Sequence, residues 1–196
     1  MTTLLFCPTK RLEPETITAI LAQQGEGIHF LFTRDNPEPT GKENVLRNYR
    51  AGREAFLAGD YDAMFVVESD IIPPPDALQK LLTIDADVAK GLYCYRHGRP
   101  VWNAARYVPG AVVPEQSISF FPELQKQVWG QVVRISGGGL GCALIHRHVL
   151  ETLNFRQDEV GHTDWAFDCD LLEHGFVVKC DTTVRCGHKR PDGLIL

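Results

Sequence analysis

Glu68 and Asp70 stand one residue apart inside the stretch from Tyr61 to Pro75, YDAMFVVESDIIPPP. Two carboxylates at that spacing offer hard oxygen ligands to a divalent cation, and such a cation suits a phosphate-bearing ligand. A second acidic set lies near the C-terminus. Asp164, Phe167, Asp168, Leu171, Leu172 and Gly175 recur at i, i+3, i+4, i+7, i+8 and i+11, so on a helix they share one face. Acids on an apolar stripe are costly unless paired, bound to metal or lining a site. A first-turn acid also favours the helix dipole by ~0.3–1 kcal/mol. That accounts for Asp164 but less well for Asp168. Asp170 and Glu173 fall on the opposite side, as solvated charges. His188 follows Gly187 and precedes a basic tail that contains a proline. Ser136 to Gly141, SGGGLG, lacks the lysine and the serine or threonine of a P-loop. Its glycines suit a tight turn or a close approach of backbone to ligand. Cys180, Cys186 and His188 lack the C-x-x-C pair usual in a structural zinc site.

The elements that must position these residues follow from the apolar runs. Ala63 to Val67 is short, nearly continuous and rich in β-branched and aromatic residues, which predicts a buried strand. Three prolines stop it, so Glu68 and Asp70 sit at its C-terminal edge, where open α/β sheets bind ligands. Leu4 to Cys7 and Ile28 to Phe32 predict two earlier strands. Between them a helix opens at Glu13-Pro14-Glu15 and ends at Gly25 and Gly27. Asn44 is placed to cap a helix over Val45 to Ala58. Asp76 to Leu82 predicts a short helix, and Asp87 to Tyr95 a strand. This β-α-β order implies a largely parallel sheet wound with helices. From Arg96 to Gly130 the pattern weakens, and short strands with a binding loop are expected. Strands at Val132 to Ile135 and Cys142 to Ile145 follow, then a helix from His146 to Leu153. Thr163 caps a last helix, Asp164 to His174, and short strands at Phe176 to Lys179 and Thr182 to Arg185 close the pattern.

A chain of 196 residues with 44% hydrophobic content predicts one domain with a sizeable core. The net charge of -5 argues against a general nucleic-acid-binding surface. No apolar run approaches the ~20 residues of a membrane span, and MTTLLFCPTK lacks the basic segment of a signal peptide. A cytoplasmic location with six reduced cysteines is therefore expected.

Several motifs together resemble the GT-A-fold glycosyltransferases, especially their family 2-like members. VVESDIIPPPDAL is similar to that family's D-x-D or E-x-D motif at the end of a buried strand. Upstream, Leu46-Arg47-Asn48 looks like the family's helix start. Downstream, GGLGCALIHRHVLE resembles its glycine-rich segment, TDWAFDCDLLEHGF its E-D-x-x-F helix start, and VRCGH its histidine after a short strand. The matches run in the family's order from about Arg47 to His188. Two departures stand out. Glu68 takes the first place of the acidic motif, and Thr163 replaces the first acid of the last helix, leaving Asp164 alone to carry that role.

The resemblance implies a single GT-A-like domain over residues 1–196, with a mostly parallel, Rossmann-like central sheet flanked by helices. Residues 1–95 would form the nucleotide-binding half and residues 96–196 the acceptor and catalytic half. It implies a metal-dependent transferase moving sugar from a nucleotide-diphosphate-sugar donor to a hydroxyl acceptor, inverting by family analogy. Asp70 would be the main ligand of Mn²⁺ or Mg²⁺, with His188 completing the site and Glu68 reaching metal or ribose beside Ser69. Pro8, Thr9, Arg11 and Asp35 would meet nucleobase and ribose, and Arg47 phosphate. Asp164 would be the general base. Gly138 and Gly139 would let backbone approach a sugar. Trp102 and Trp165 would stack on one or belong to the core. Two alternatives remain at this stage. A sugar nucleotidyltransferase would normally carry a glycine-rich phosphate loop after the first strand, and FCPTKRLEPE has no glycine. A non-catalytic sugar- or nucleotide-binding module would keep the fold without turnover.

Overall fold

The computed structural model describes residues 1–11, 13–33, 35–95, 102–106, 119–120, 129–159 and 161–195. Strand β1 (Thr3–Pro8), helix α1 (Pro14–Leu21), β2 (Ile28–Thr33), α2 (Gly41–Ala58) and β3 (Ala63–Val67) open the chain. The two-residue β4 (Ile71–Ile72), α3 (Ala77–Leu82) and β5 (Val88–Leu92) follow. Next come β6 (Ala105–Arg106), β7 (Ser119–Phe120), β8 (Val132–Arg134), β9 (Cys142–His146) and α4 (Arg147–Thr152). Helix α5 (Thr163–Glu173), β10 (Val178–Arg185) and β11 (Gly187–His188) end it. The binding loop expected between Arg96 and Gly130 lies largely outside the described residues. Within them, β6 and β7 pair as a small antiparallel ribbon.

Among the described residues, seven strands form one sheet in the order β2-β1-β3-β9-β5-β10-β8. β2, β1, β3, β5 and β10 point one way, while β9 and β8 oppose them. The sheet is thus mostly parallel, as the β-α-β order implied, and helices flank it. All five residues of β3 are fully buried, the outcome expected of a continuous apolar run. Met64 and Val66 join a core layer with Tyr49 and Phe56 of α2, Val149 of α4 and Phe167 of α5. Phe65 and Val67 face the other way, with Ile20 of α1 and Leu78 of α3. The antiparallel insertion of β9 matters for the site. Because β9 starts beside the end of β3, with Cys142 opposite Val67, the glycine-rich loop is delivered to the edge that carries Glu68. The Glu68 N–H donates to the Gly141 carbonyl at 3.0 Å.

Three local expectations are corrected. Helix α2 begins before Asn44, because Thr40 and Glu43 form a reciprocal capping box. The Thr40 hydroxyl accepts from the Glu43 N–H at 3.2 Å, and the Glu43 carboxylate from the Thr40 N–H at 3.1 Å. T-x-x-E is the sequence signature of that box. The last two strands are one, β10, with a register shift between Asp181 and Arg185. The shift turns the strand over. Cys180 lies in the α2 and α5 layer, whereas Val184 and Cys186 lie in the opposite one. Asp170 is buried rather than solvated, and Arg156 grips it with two nitrogens, Nε at 2.9 Å and Nη2 at 2.6 Å.

Candidate functional site

Beyond Val67 the chain turns at Ser69-Asp70, closed by the Ile71 N–H donating to the Glu68 carbonyl at 2.9 Å. This turn floors a cleft of about 970 Å³. Pro8 at the end of β1, the first two turns of α2 and the start of α5 form its walls. Glu68, Ser69, Asp70 and Asp164 all line it. The structure therefore brings together carboxylates that lie about a hundred residues apart in sequence.

His188 joins them from the tail. β11 pairs antiparallel with β4, setting His188 opposite Ile71, and the Lys189 N–H donates to the Asp70 carbonyl at 2.8 Å. The ring is buried, edge-on to Tyr93 with centroids 5.4 Å apart. Its Nδ1 lies 2.6 Å from the Cys94 carbonyl. A carbonyl only accepts, so Nδ1 carries a proton and donates to it, leaving Nε2 towards Asp70. Nε2 lies 3.7 Å from Asp70 Oδ1. A histidine held through Nδ1 by a backbone carbonyl is the usual support of a metal ligand. Among the described residues no group of three or more His, Cys, Asp or Glu side chains is arranged to hold a metal ion. Asp70 and His188 are a two-residue set, which suits a cation that also takes substrate phosphate and water.

Glu68 is turned towards α2, where its Oε1 accepts from the Tyr49 hydroxyl at 2.8 Å. Burial and the Glu68 charge push the Tyr49 hydroxyl pKa well up, so Tyr49 stays a donor. Asp164 sits in the first turn of α5, and its Oδ1 accepts from the Trp165 N–H at 2.9 Å. A Cβ built on Gly139 would lie 3.5 Å from Asp164 Oδ2 and 2.3 Å from the Tyr93 hydroxyl. Gly139 is thus the gap through which the loop passes Asp164. Tyr93 is buried, accepts from the Gly141 N–H at 3.2 Å, and holds loop and His188 apart. Burial raises its pKa, reinforced by the Glu68 charge. The Cys7 thiol beneath the floor is likewise pushed up, by burial first, to about 12.

Other residues singled out from the sequence lie elsewhere. Thr9 is buried, and its hydroxyl donates to the Cys7 carbonyl at 3.1 Å. Arg11 is paired with Glu13. Arg47 is held by Asp35 at 3.3 Å and Glu38 at 3.2 Å on the outer side of α2. None of these four residues, Thr9, Arg11, Asp35 or Arg47, lines the cleft. The space beside Gly138 is taken by protein, since a Cβ there would fall 1.5 Å from the Asn103 carbonyl oxygen. Trp102 packs edge-on against Trp129, and Trp165 borders a small hollow with Ala105 and Cys169. Neither tryptophan lines the cleft. Cys180 and Cys186 lie in separate core layers, and His188 keeps company with Asp70.

Asp168 finds the partner that its apolar setting demanded. It forms a buried ion pair with Lys90 of β5, and its Oδ2 accepts from the Gly138 N–H at 2.7 Å. It anchors the glycine loop from below.

Sequence reasoning missed Lys10, Lys42, Asn48, Tyr49 and Thr163 as cleft residues. For Asn48 and Tyr49 the α2 pattern held the signal: Asn48, Tyr49, Gly52 and Phe56 follow i, i+1, i+4 and i+8, the buried stripe, and Glu43, Arg47, Arg50 and Glu54 follow the outward one.

No family model matches the sequence, and no curated protein matches it. Among solved structures, the crystal structure of A197 from STIV matches with a TM-score of 0.71 at 18% identity. The match covers 100% of this chain and 93% of that one. The likeness is one of fold, a mixed α/β domain with a mostly parallel central sheet flanked by helices.

Proposed function

We propose that this chain is a metal-dependent glycosyltransferase of the GT-A type, moving a sugar from a nucleotide-diphosphate donor to a hydroxyl acceptor. The observation that supports it is the meeting of Asp70 and Asp164 in one cleft at the carboxyl ends of parallel strands, with His188, buried behind the lining, 3.7 Å from Asp70. Asp70 and His188 would hold Mn²⁺ or Mg²⁺, whose chemistry there is to offset the charge gathering on the departing diphosphate. Pro8 and Asn48 border the space beside them, on the side where donor base and ribose would lie. Glu68, held by Tyr49, would accept from ribose. Asp164 would take the acceptor hydroxyl proton as that oxygen bonds to the anomeric carbon. The bond from that carbon to the diphosphate oxygen breaks, and its electron pair leaves with the diphosphate. Attack from the face opposite the leaving group gives inversion.

Incubation with a panel of nucleotide sugars and Mn²⁺ tests the reading. One donor is expected to yield free nucleoside diphosphate and a glycosylated acceptor, and chelation by EDTA to stop both. Donor binding without any product would favour the non-catalytic module instead.

A further inference from the structure

Helix α5 runs for 11 residues and starts in the cleft without a side-chain cap on its N-terminus. The first N–H groups of such a helix, with its dipole, attract anions. A second observation points the same way. Thr163, 3% exposed and among the residues lining the cleft, has a hydroxyl with no hydrogen-bond partner. A third is the placing of Lys42, from the first turn of α2. A Cβ built on Gly161 would lie 2.9 Å from Lys42 Cδ and 3.4 Å from its Nζ. Gly161 also has φ +85°, so glycine serves there both the left-handed backbone and the room for this lysine. The ammonium is thereby brought two residues from Thr163.

We propose that Lys42, Thr163 and the first turn of α5 form a subsite for a phosphate group carried by the acceptor. Lys42 reaches Gly161, two residues before Thr163 and the uncapped first turn of α5. A tetrahedral group with three outer oxygens can take an ammonium, a hydroxyl and backbone N–H groups as donors. Two carboxylates stand nearby. Asp158 is engaged with His162, accepting its N–H at 2.7 Å, and Asp164 is turned to the Trp165 N–H. A phosphate beside two carboxylates requires a cation, and in this subsite Lys42 would supply it. The subsite shares a helical turn with Asp164. Assigning it to the acceptor rather than the donor rests on the transferase reading.

The test is calorimetric titration with inorganic phosphate, in EDTA and without nucleotide. The wild type is expected to bind saturably. Lys42→Met should weaken binding about 10-fold, and Thr163→Val, which keeps the side-chain shape, about 3-fold. Asp164→Asn should tighten it, because a like charge is removed. Absence of wild-type binding, or equal affinity in both Lys42→Met and Thr163→Val, would overturn the subsite. Phosphate binding lost in those variants, in a protein that turns over no nucleotide sugar, would uphold the subsite and reject its assignment to an acceptor.

Discussion

Asp164→Asn protein is expected to bind donor as the wild type does and to lose transfer by about 10²–10⁴-fold, the range for removal of a general base. The substitution is nearly isosteric. Asn keeps an oxygen for the Trp165 N–H, which Asp164 Oδ1 accepts at 2.9 Å, so the start of α5 is preserved. What is lost is a group able to take a proton from an acceptor hydroxyl. Single-turnover rates with bound donor separate the two effects. A variant that transfers at the wild-type rate would remove Asp164 from this role, and one that fails to bind donor would assign it to positioning.

Lys90→Met is expected to cost about 3–5 kcal/mol of stability, the usual cost of stranding one partner of a buried ion pair. Both side chains are almost wholly inaccessible, Lys90 at 0% and Asp168 at 3%. Burial already pushes the Asp168 carboxyl above its ordinary value, against the pull of Lys90 and the Gly138 N–H. Without Lys90 that rise grows. A raised folded-state pKa means that the native state binds the extra proton, so stability is greatest below the unfolded value near 4 and falls as pH rises through the folded one. The Lys90→Met deficit should therefore shrink in acid and be largest at neutral pH. Adding Asp168→Asn should recover most of it, since Asn removes the stranded charge and keeps an acceptor for Gly138. Urea denaturation at two pH values measures all of this. A deficit under about 1 kcal/mol, or one that grows in acid, would contradict the account.

What the sequence disclosed depended on how each signal is encoded. β3 was legible because its burial is written as a continuous run, Ala63 to Val67, closed by prolines. Asp164 was legible because a helix face has a period. β4 and β11 were not, because two residues carry no periodicity. The pairing that sets His188 beside Asp70 rests on these two elements, so only the resemblance pointed to it. The surroundings of Asp168 asked for a partner, but Lys90 is 78 residues away in an otherwise small and apolar strand. Arg47 looked available for phosphate, yet its position on the outward stripe of α2 hands it to Asp35 and Glu38. The sequence places a break at Cys180-Asp181, but β10 runs straight through those residues and shifts register only beyond them, between Asp181 and Arg185.

The central claim is that Asp70, supported by His188, makes nucleotide binding depend on a divalent cation. Thermal unfolding with nucleoside diphosphates, each with and without Mn²⁺, measures it directly, because a ligand bound only by the folded state raises Tm. The account predicts that one nucleotide raises Tm when Mn²⁺ is present and little without it, and that Asp70→Ala abolishes the Mn²⁺-dependent part. A wild type stabilised by no nucleotide under either condition, or an Asp70→Ala protein that keeps the full Mn²⁺-dependent rise, would contradict it.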